Sequence, residues 1–468
     1  MKKYIYSIVA ATALFASCSQ DAELNEIGNA DSKAITTIGA STEISTRAVV
    51  SSTDNTKINW ETGDQLGVFG TNSSSEAKNL AYTLNSGSGT TSGTFSNGSS
   101  DITAISAIMY PYQENATWAD SKLTCEIPYM QTAAKGSFDK AAAIMYSIGN
   151  TTDVTLNYAV NFLKVTVTEE NVHSISISST TTALSGKMEI TSGGVAAASG
   201  SLNSVTLTAG KGNVLAAGDY YIAVKAGNIE NPSISYVYYN DDHTATEKTK
   251  AGSGTLTFAE NTNVKPVKVN FTNGTVTTRK AVQLWANGPY FAEYNVGVTD
   301  GKAESYGGYY TWGGTYNNDP ALEGNQWTDD HNTANTATDL SGSDDTATKL
   351  WGANWRMPTE EEFEQLIYYG YCQCEQITQS NVYGLLCTGK NAYISNSIFF
   401  PAAGLRWKTG HNYQGSDGYY WSSTHNNPPY NAYRLYFKKS DYEEYREPAG
   451  VYNDSRDYGQ SVRAVLAD

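Results

Sequence analysis

Apolar residues recur at near-alternate positions through the middle of the chain. Val172, Ile175 and Ile177 begin the series, and Val205-Leu207 (with one residue between), Tyr220, Ile222, Val224, Ile234, Tyr236, Tyr238, Val267, Val269 and Phe271 continue it. A period of two sends one side of each segment inward and the other outward, so these are half-buried strands. Gly- and Asn-rich joints separate them, as in a β-sandwich. One stretch breaks the pattern. Pro358 keeps Met357 out of the helical region, Thr359 is a good N-cap, and Glu362 three residues on completes a capping box. Phe363, Leu366 and Ile367 then fall on one helical stripe, and Gly370 is a natural stop. The three glutamates Glu360, Glu361 and Glu362 suit the positive end of the helix dipole. They serve as caps and solvated face, with no facing base or metal ligand to make them catalytic.

Composition agrees with a mostly β chain. It has 468 residues, 41 of them Gly, only 17% charged, and a formal net charge of −16 with a pI near 4.8. That charge argues against nucleic acid or an anionic membrane surface as partner. Its length suggests three domains. Aromatic residues are unevenly spread: seven of nine Trp and 21 of 34 Tyr lie after Ala281. No Ser-His-Asp, zinc or phosphate-loop signature stands out, so no enzyme activity is expected.

The N-terminus reads as an export signal. Lys2 and Lys3 precede an apolar run from Ile5 to Phe15 that is too short to span a bilayer comfortably, and Ala16-Ser17 are small. Leu14-Phe15-Ala16-Ser17-Cys18 resembles a lipoprotein lipobox, which implies cleavage after residue 17 and lipid on Cys18. Ile35, Ile38 and Ile44 mark a first strand. Arg47, between a polar stretch and the apolar Ala48-Val49-Val50, is chemically suited to proteolytic cleavage.

Trp60-Glu61-Thr62-Gly63-Asp64-Gln65-Leu66-Gly67-Val68-Phe69 reads as a strand end, a turn and a buried strand. With Met109-Tyr110-Pro111-Tyr112, Ile127-Pro128, Gln131 and Phe162-Leu163-Lys164-Val165-Thr166-Val167, it resembles the fimbrillin family of lipoprotein pilins from Bacteroides-like bacteria. The resemblance covers about 48–271. It implies two tandem transthyretin-like β-sandwiches, with a seam near Val167 to Val172. It also implies clipping between Arg47 and Ala48, loss of the first strand, and acceptance of another subunit's strand in the groove. The physics is β-augmentation, in which an unpaired edge offers a ladder of N–H and C=O groups.

From Gln283 onward a second resemblance appears. The capped helix, Phe399-Phe400-Pro401-Ala402-Ala403-Gly404-Leu405-Arg406, Gly418-Tyr419-Tyr420-Trp421-Ser422-Ser423-Thr424, Ala432-Tyr433-Arg434-Leu435-Tyr436-Phe437 and Gly459-Gln460-Ser461-Val462-Arg463-Ala464-Val465 together resemble the Fibrobacter succinogenes major paralogous domain. That family implies a C-type-lectin-like α+β module. The expected division is therefore signal peptide 1–17, tether and first strand 18–47, sandwiches 48–167 and 168–272, linker 273–282, and an independently folding module 283–468.

Candidate site residues follow. Trp407, Tyr413, Asn426, Asn427 and Tyr430 are aromatic or amide residues in the terminal stretch suited to a glycan or protein ligand. Asn427-Pro428 faintly echoes the cis-Pro loop of calcium-dependent lectins, without their acidic partner. Asp329-Asp330 and Asp344-Asp345 carry carboxylates suited to calcium, but no Asp-x-Asp-x-Asp-Gly loop is present, so a solvated polar loop is the expected reading and no cofactor or metal is assigned. A two-residue turn at Ser380-Asn381 would set Cys374 opposite Cys387, and that pair is the disulfide candidate, with buried free thiols as the alternative. Expected partners are other pilin subunits by strand addition, a host or microbial glycan or protein, and the outer membrane through the lipid. Nucleic acid is not among them. The expected role is a surface-exposed outer-membrane lipoprotein at a fimbrium tip, or else a surface lipoprotein that binds glycan or matrix without polymerising.

Overall fold

The computed structural model describes residues 33–42, 59–258, 264–271, 275–314, 338–407, 410–439 and 448–467. Cys18, Arg47, Ala48 and Asp329-Asp330 lie outside them. The described fold is mostly β, and Ala34–Asp468 forms one compact unit.

The first layer is an eight-stranded sheet. Its order is Asp153–Thr155, Thr37–Ser41, Ser92–Ser96, Ala77–Ser86, Gln65–Asn72, Ile102–Tyr110, Met145–Ile148 and Asn157–Tyr158. The first strand thus sits inside the sheet, antiparallel to Ser92–Ser96 on one side and parallel to Asp153–Thr155 on the other. Ile38 and Ala40 point into a core with Trp60, Tyr82, Phe95 and Tyr110. The Trp60 ring meets Phe95 and Tyr110 edge-on at 5.0 and 5.1 Å, the arrangement aromatic quadrupoles favour. Gly93, opposite Ala40, is required by close approach: a Cβ there would come within 2.9 Å of the Trp60 ring.

The expected seam at 167 divides the sequence where the structure shares a wall. Val160–Val167 pairs with Gly218–Lys225 and Val264–Val267 in a three-stranded sheet. On one side Val160, Phe162, Tyr221 and Ala223 join the first core. On the other, Leu163, Val165, Val167, Ile222 and Val224 join a second core with Ile175, Ile177, Val205 and Leu207. Buried on both faces over most of their length, Val160–Val167 and Gly218–Lys225 carry apolar runs. Exchange goes further: Lys122–Ile127 pairs with Ser185–Thr191, and Met130–Thr132 runs parallel to Ser204–Thr208. The two sandwiches are one layered body with a common middle sheet.

The expected linker at 273–282 is also corrected. Its described part is a strand, Val276–Gln283, paired with Thr244–Ala251 of the second sandwich and with Tyr290–Ala292 of the terminal module. It lies within a nine-stranded sheet that runs from Met130–Thr132 to Val465–Leu466 and Trp355–Arg356. The polar side of this sheet faces protein. Ser174, Thr206 and Glu247 are buried against the module. The Asn354 side-chain oxygen accepts from the Ser174 and Thr206 hydroxyls at 3.2 Å each. Asn354 Nδ2 and Trp355 Nε1 donate to the two oxygens of Glu247 at 2.9 Å, and Arg279 pairs with the same carboxylate while stacking on Trp351.

Candidate ligand-binding surface

The terminal module is built on the capped helix Glu360–Ile367. Thr359 Oγ1 accepts from the Glu362 amide at 3.1 Å, and the Glu362 carboxylate accepts from the Thr359 amide at 2.8 Å. Glu362 also holds Arg356 through both its oxygens, so it is a structural carboxylate. Asp345, placed by sequence in a polar loop, is fully buried. It caps the helix Thr346–Trp351 and accepts from the Thr348 and Met357 amides, and burial raises its pKa. Among the described residues no group of three or more His, Cys, Asp or Glu is placed to hold a metal.

Behind the helix the hairpin Cys372–Gln379 and Val382–Gly389 turns at Ser380 and Asn381. Both have positive φ, 48° and 68°, as a two-residue hairpin turn of the primed type requires. Cys374 lies directly opposite Cys387 and is bonded to it. Cys372 is a buried thiol, pushed up to about 12 by desolvation, and so is Cys125.

The sequence-predicted ligand residues form two groups. Trp407 and Tyr413 lie on and beside the hairpin Leu405–Trp407 and Gly410–Asn412, and both are exposed. The Trp407 ring meets Tyr458 edge-on at 5.9 Å. Asn426, Asn427 and Tyr430 lie at the tip between the strands Asp417–Asn426 and Asn431–Lys438. There Tyr430 is exposed, Asn427 has φ 42°, and the cis bond is Pro428–Pro429, not Asn427–Pro428. Segment 455–459 borders both groups: the Arg456 amide donates to the Tyr430 carbonyl, and Tyr458 packs on Trp407.

Between them lies a row that the sequence reading did not assemble. Tyr413 packs on Tyr419 at 6.3 Å, Tyr419 on Tyr436 at 5.0 Å, and Tyr436 on the exposed Tyr452 at 6.0 Å. The Arg434 guanidinium lies 4.8 and 4.6 Å over the Tyr419 and Tyr436 rings, within reach of cation–π attraction. Its Nε is 2.9 Å from Asp454, and both tyrosine hydroxyls donate to Asp417. Burial raises the pKa of Tyr436 and of Asp454, whose shift Arg434 opposes. The signal for this row is alternation: Arg434 and Tyr436 on one strand, with Tyr419 opposite Tyr436 on the next.

The closing stretch seals the module. Val462, Arg463 and Val465 are fully buried. Arg463 donates to the Asn295 side chain and to the carbonyls of Ala292, Glu293 and Phe399 at 2.8–3.1 Å. Desolvation pushes its pKa down to about 10.

No protein family and no curated protein matches the chain by sequence. Among solved structures, it is similar to a protein of Parabacteroides distasonis ATCC 8503 named as a candidate cell adhesion protein. The identity is 9% and the TM-score 0.23, over 46% of this chain and 78% of the other. A likeness of that size carries no argument about fold or function.

Proposed function

We propose that this chain is a cell-surface adhesin of the pilin type, tethered through lipid on Cys18 and presenting the terminal module to a glycan or protein ligand. The observation that carries the reading is the position of Thr37–Ser41, paired on both sides inside the eight-stranded sheet. Cleavage between Arg47 and Ala48 would separate this strand from the rest of the chain. Its departure would leave two unpaired edges and an apolar slot for another subunit's strand. The closing stretch 461–466 is badly placed to be donated in return, because it carries Arg463 and two buried valines out with it. That asymmetry suits a tip subunit, which accepts a strand and donates none.

Sequencing the N-terminus of surface-assembled protein tests the processing step, with Ala48 expected first. Lipidated Cys18 on every assembled copy would overturn polymerisation and leave a non-polymerising surface lipoprotein. Immunogold label on the module is expected at pilus ends, and label spread along the shafts would overturn the tip position.

A further inference from the structure

Among the described residues, the other arginines of the terminal module each have an acceptor, and Arg406 does not. Arg463 has four oxygens, Arg356 has Glu362, Arg434 has Asp454, and Arg456 donates to the Asn431 carbonyl while lying over Trp312. Arg406 is only 6% exposed, yet its Nε and Nη1 are buried without a hydrogen-bond partner. A buried cation without an acceptor is costly, and such costs are retained where a ligand uses the group.

Arg406 is held against two neighbouring segments. Its backbone is bonded in both directions to Gly459, at 2.7 and 2.9 Å. A Cβ on Gly459 would come within 3.1 Å of the Arg406 Cβ and 3.4 Å of the Tyr309 Cβ, so glycine there lets the segments approach closely. His411 is directly opposite Arg406 in the hairpin, half-buried, with the Tyr309 ring edge-on at 4.8 Å. Tyr413, two residues past His411, is exposed at 59%, and Trp407, next in the chain, faces the other side of the strand.

We infer that Arg406 receives the carboxylate of an acidic sugar, with Tyr413 offering a ring face to the glycan that carries it. This rests on the reading of the module as a ligand-binding unit. The chemistry favours a single carboxylate on an otherwise neutral glycan. A chain with net charge −16 repels a polyanion at long range, whereas one buried guanidinium acts locally, by direct hydrogen bonds to a planar acceptor.

The test uses the full chain against oligosaccharides ending in a uronic acid and the same oligosaccharides with the carboxyl reduced to a primary alcohol. Reduction is expected to weaken binding at least tenfold. Arg406→Met is expected to bind both forms at the weaker level with no fall in Tm, because no internal partner is lost. Arg406→Lys, which keeps the charge but loses the planar fork, is expected to fall between. Free glucuronic acid should compete, and acetate should not. Acetate competing equally well would overturn the sugar assignment. Equal binding by wild type and Arg406→Met, or a Tm drop on Arg406→Met with binding intact, would overturn the role of Arg406. Binding of neutral glycans or protein surfaces alone would overturn this inference and leave the adhesin standing. No binding to any surface would overturn both.

Discussion

Two strands close this molecule, one near each end, and they are held by different means. Thr37–Ser41 is kept by backbone ladders on both sides and by two inward apolar side chains, Ile38 and Ala40. By burial alone those side chains contribute only about 3 kcal/mol. The stretch 461–466 carries Val462 and Val465 inward as well, but adds Arg463, whose guanidinium reaches four oxygens on two other segments, 292–295 and Phe399. A ladder is blind to sequence, so any strand of suitable pattern can replace the first strand. A buried guanidinium with fixed acceptors is specific, and no generic strand supplies it. On the proposed function the first strand is therefore the one that exchanges and the last is not.

The largest expected effect comes from cutting the closing stretch away from its support. A fragment of residues 283–468 lacks Ala281 and Val282, the ladder partners of Ala292 and Phe291, and leaves Asn354 and Trp355 without Glu247. It is expected to show no cooperative unfolding by circular dichroism. A cooperative transition in that fragment would restore an independent module. Next, Arg463→Met removes the lock while keeping bulk, and should cost about 3–5 kcal/mol by orphaning its acceptors. Chemical denaturation measures it, and a loss under 1 kcal/mol would erase the difference between the two ends. Ile38→Ala in the first strand should cost about 2–4 kcal/mol through a cavity beside Trp60 and Phe95. Supplying a free peptide of residues 33–42 to the processed chain should restore the loss, whereas a peptide of 459–467 should restore nothing to Arg463→Met. The smallest effect is at Thr359→Ala, which deletes one cap bond and should cost about 1 kcal/mol. It calibrates the others, because it touches neither closing strand.

The capped helix and the 374–387 pairing were legible because each depends on a few adjacent residues. Thr359 and Glu362 reach one another across a single turn, and two left-handed residues at Ser380 and Asn381 set the register of the hairpin they join. The row through Tyr419, Arg434, Tyr436 and Tyr452 spans three strands, and no short window contains it. Arg406 was visible only as a charge between apolar neighbours. Its lack of an acceptor is a property of everything packed around it.

The sequence by itself determined the strand periodicity, the turns, the capped helix Glu360–Ile367 and the shift to aromatic residues after 281, because each is set by local sterics, hydrogen bonding or composition. Tertiary structure alone decided what lies against each face. Ser174 and Thr206 alternate with Ile175 and Leu207 as a solvated face would, yet Asn354 covers them. Val276–Gln283 has the polar make-up of a linker, yet it is a ladder strand between two layers. Backbone amides and carbonyls pair without regard to side chains, and a buried hydroxyl is stable wherever a distant partner meets it. Neither partner is written within reach of the residue it satisfies, so only the folded chain specifies which polar face is outside.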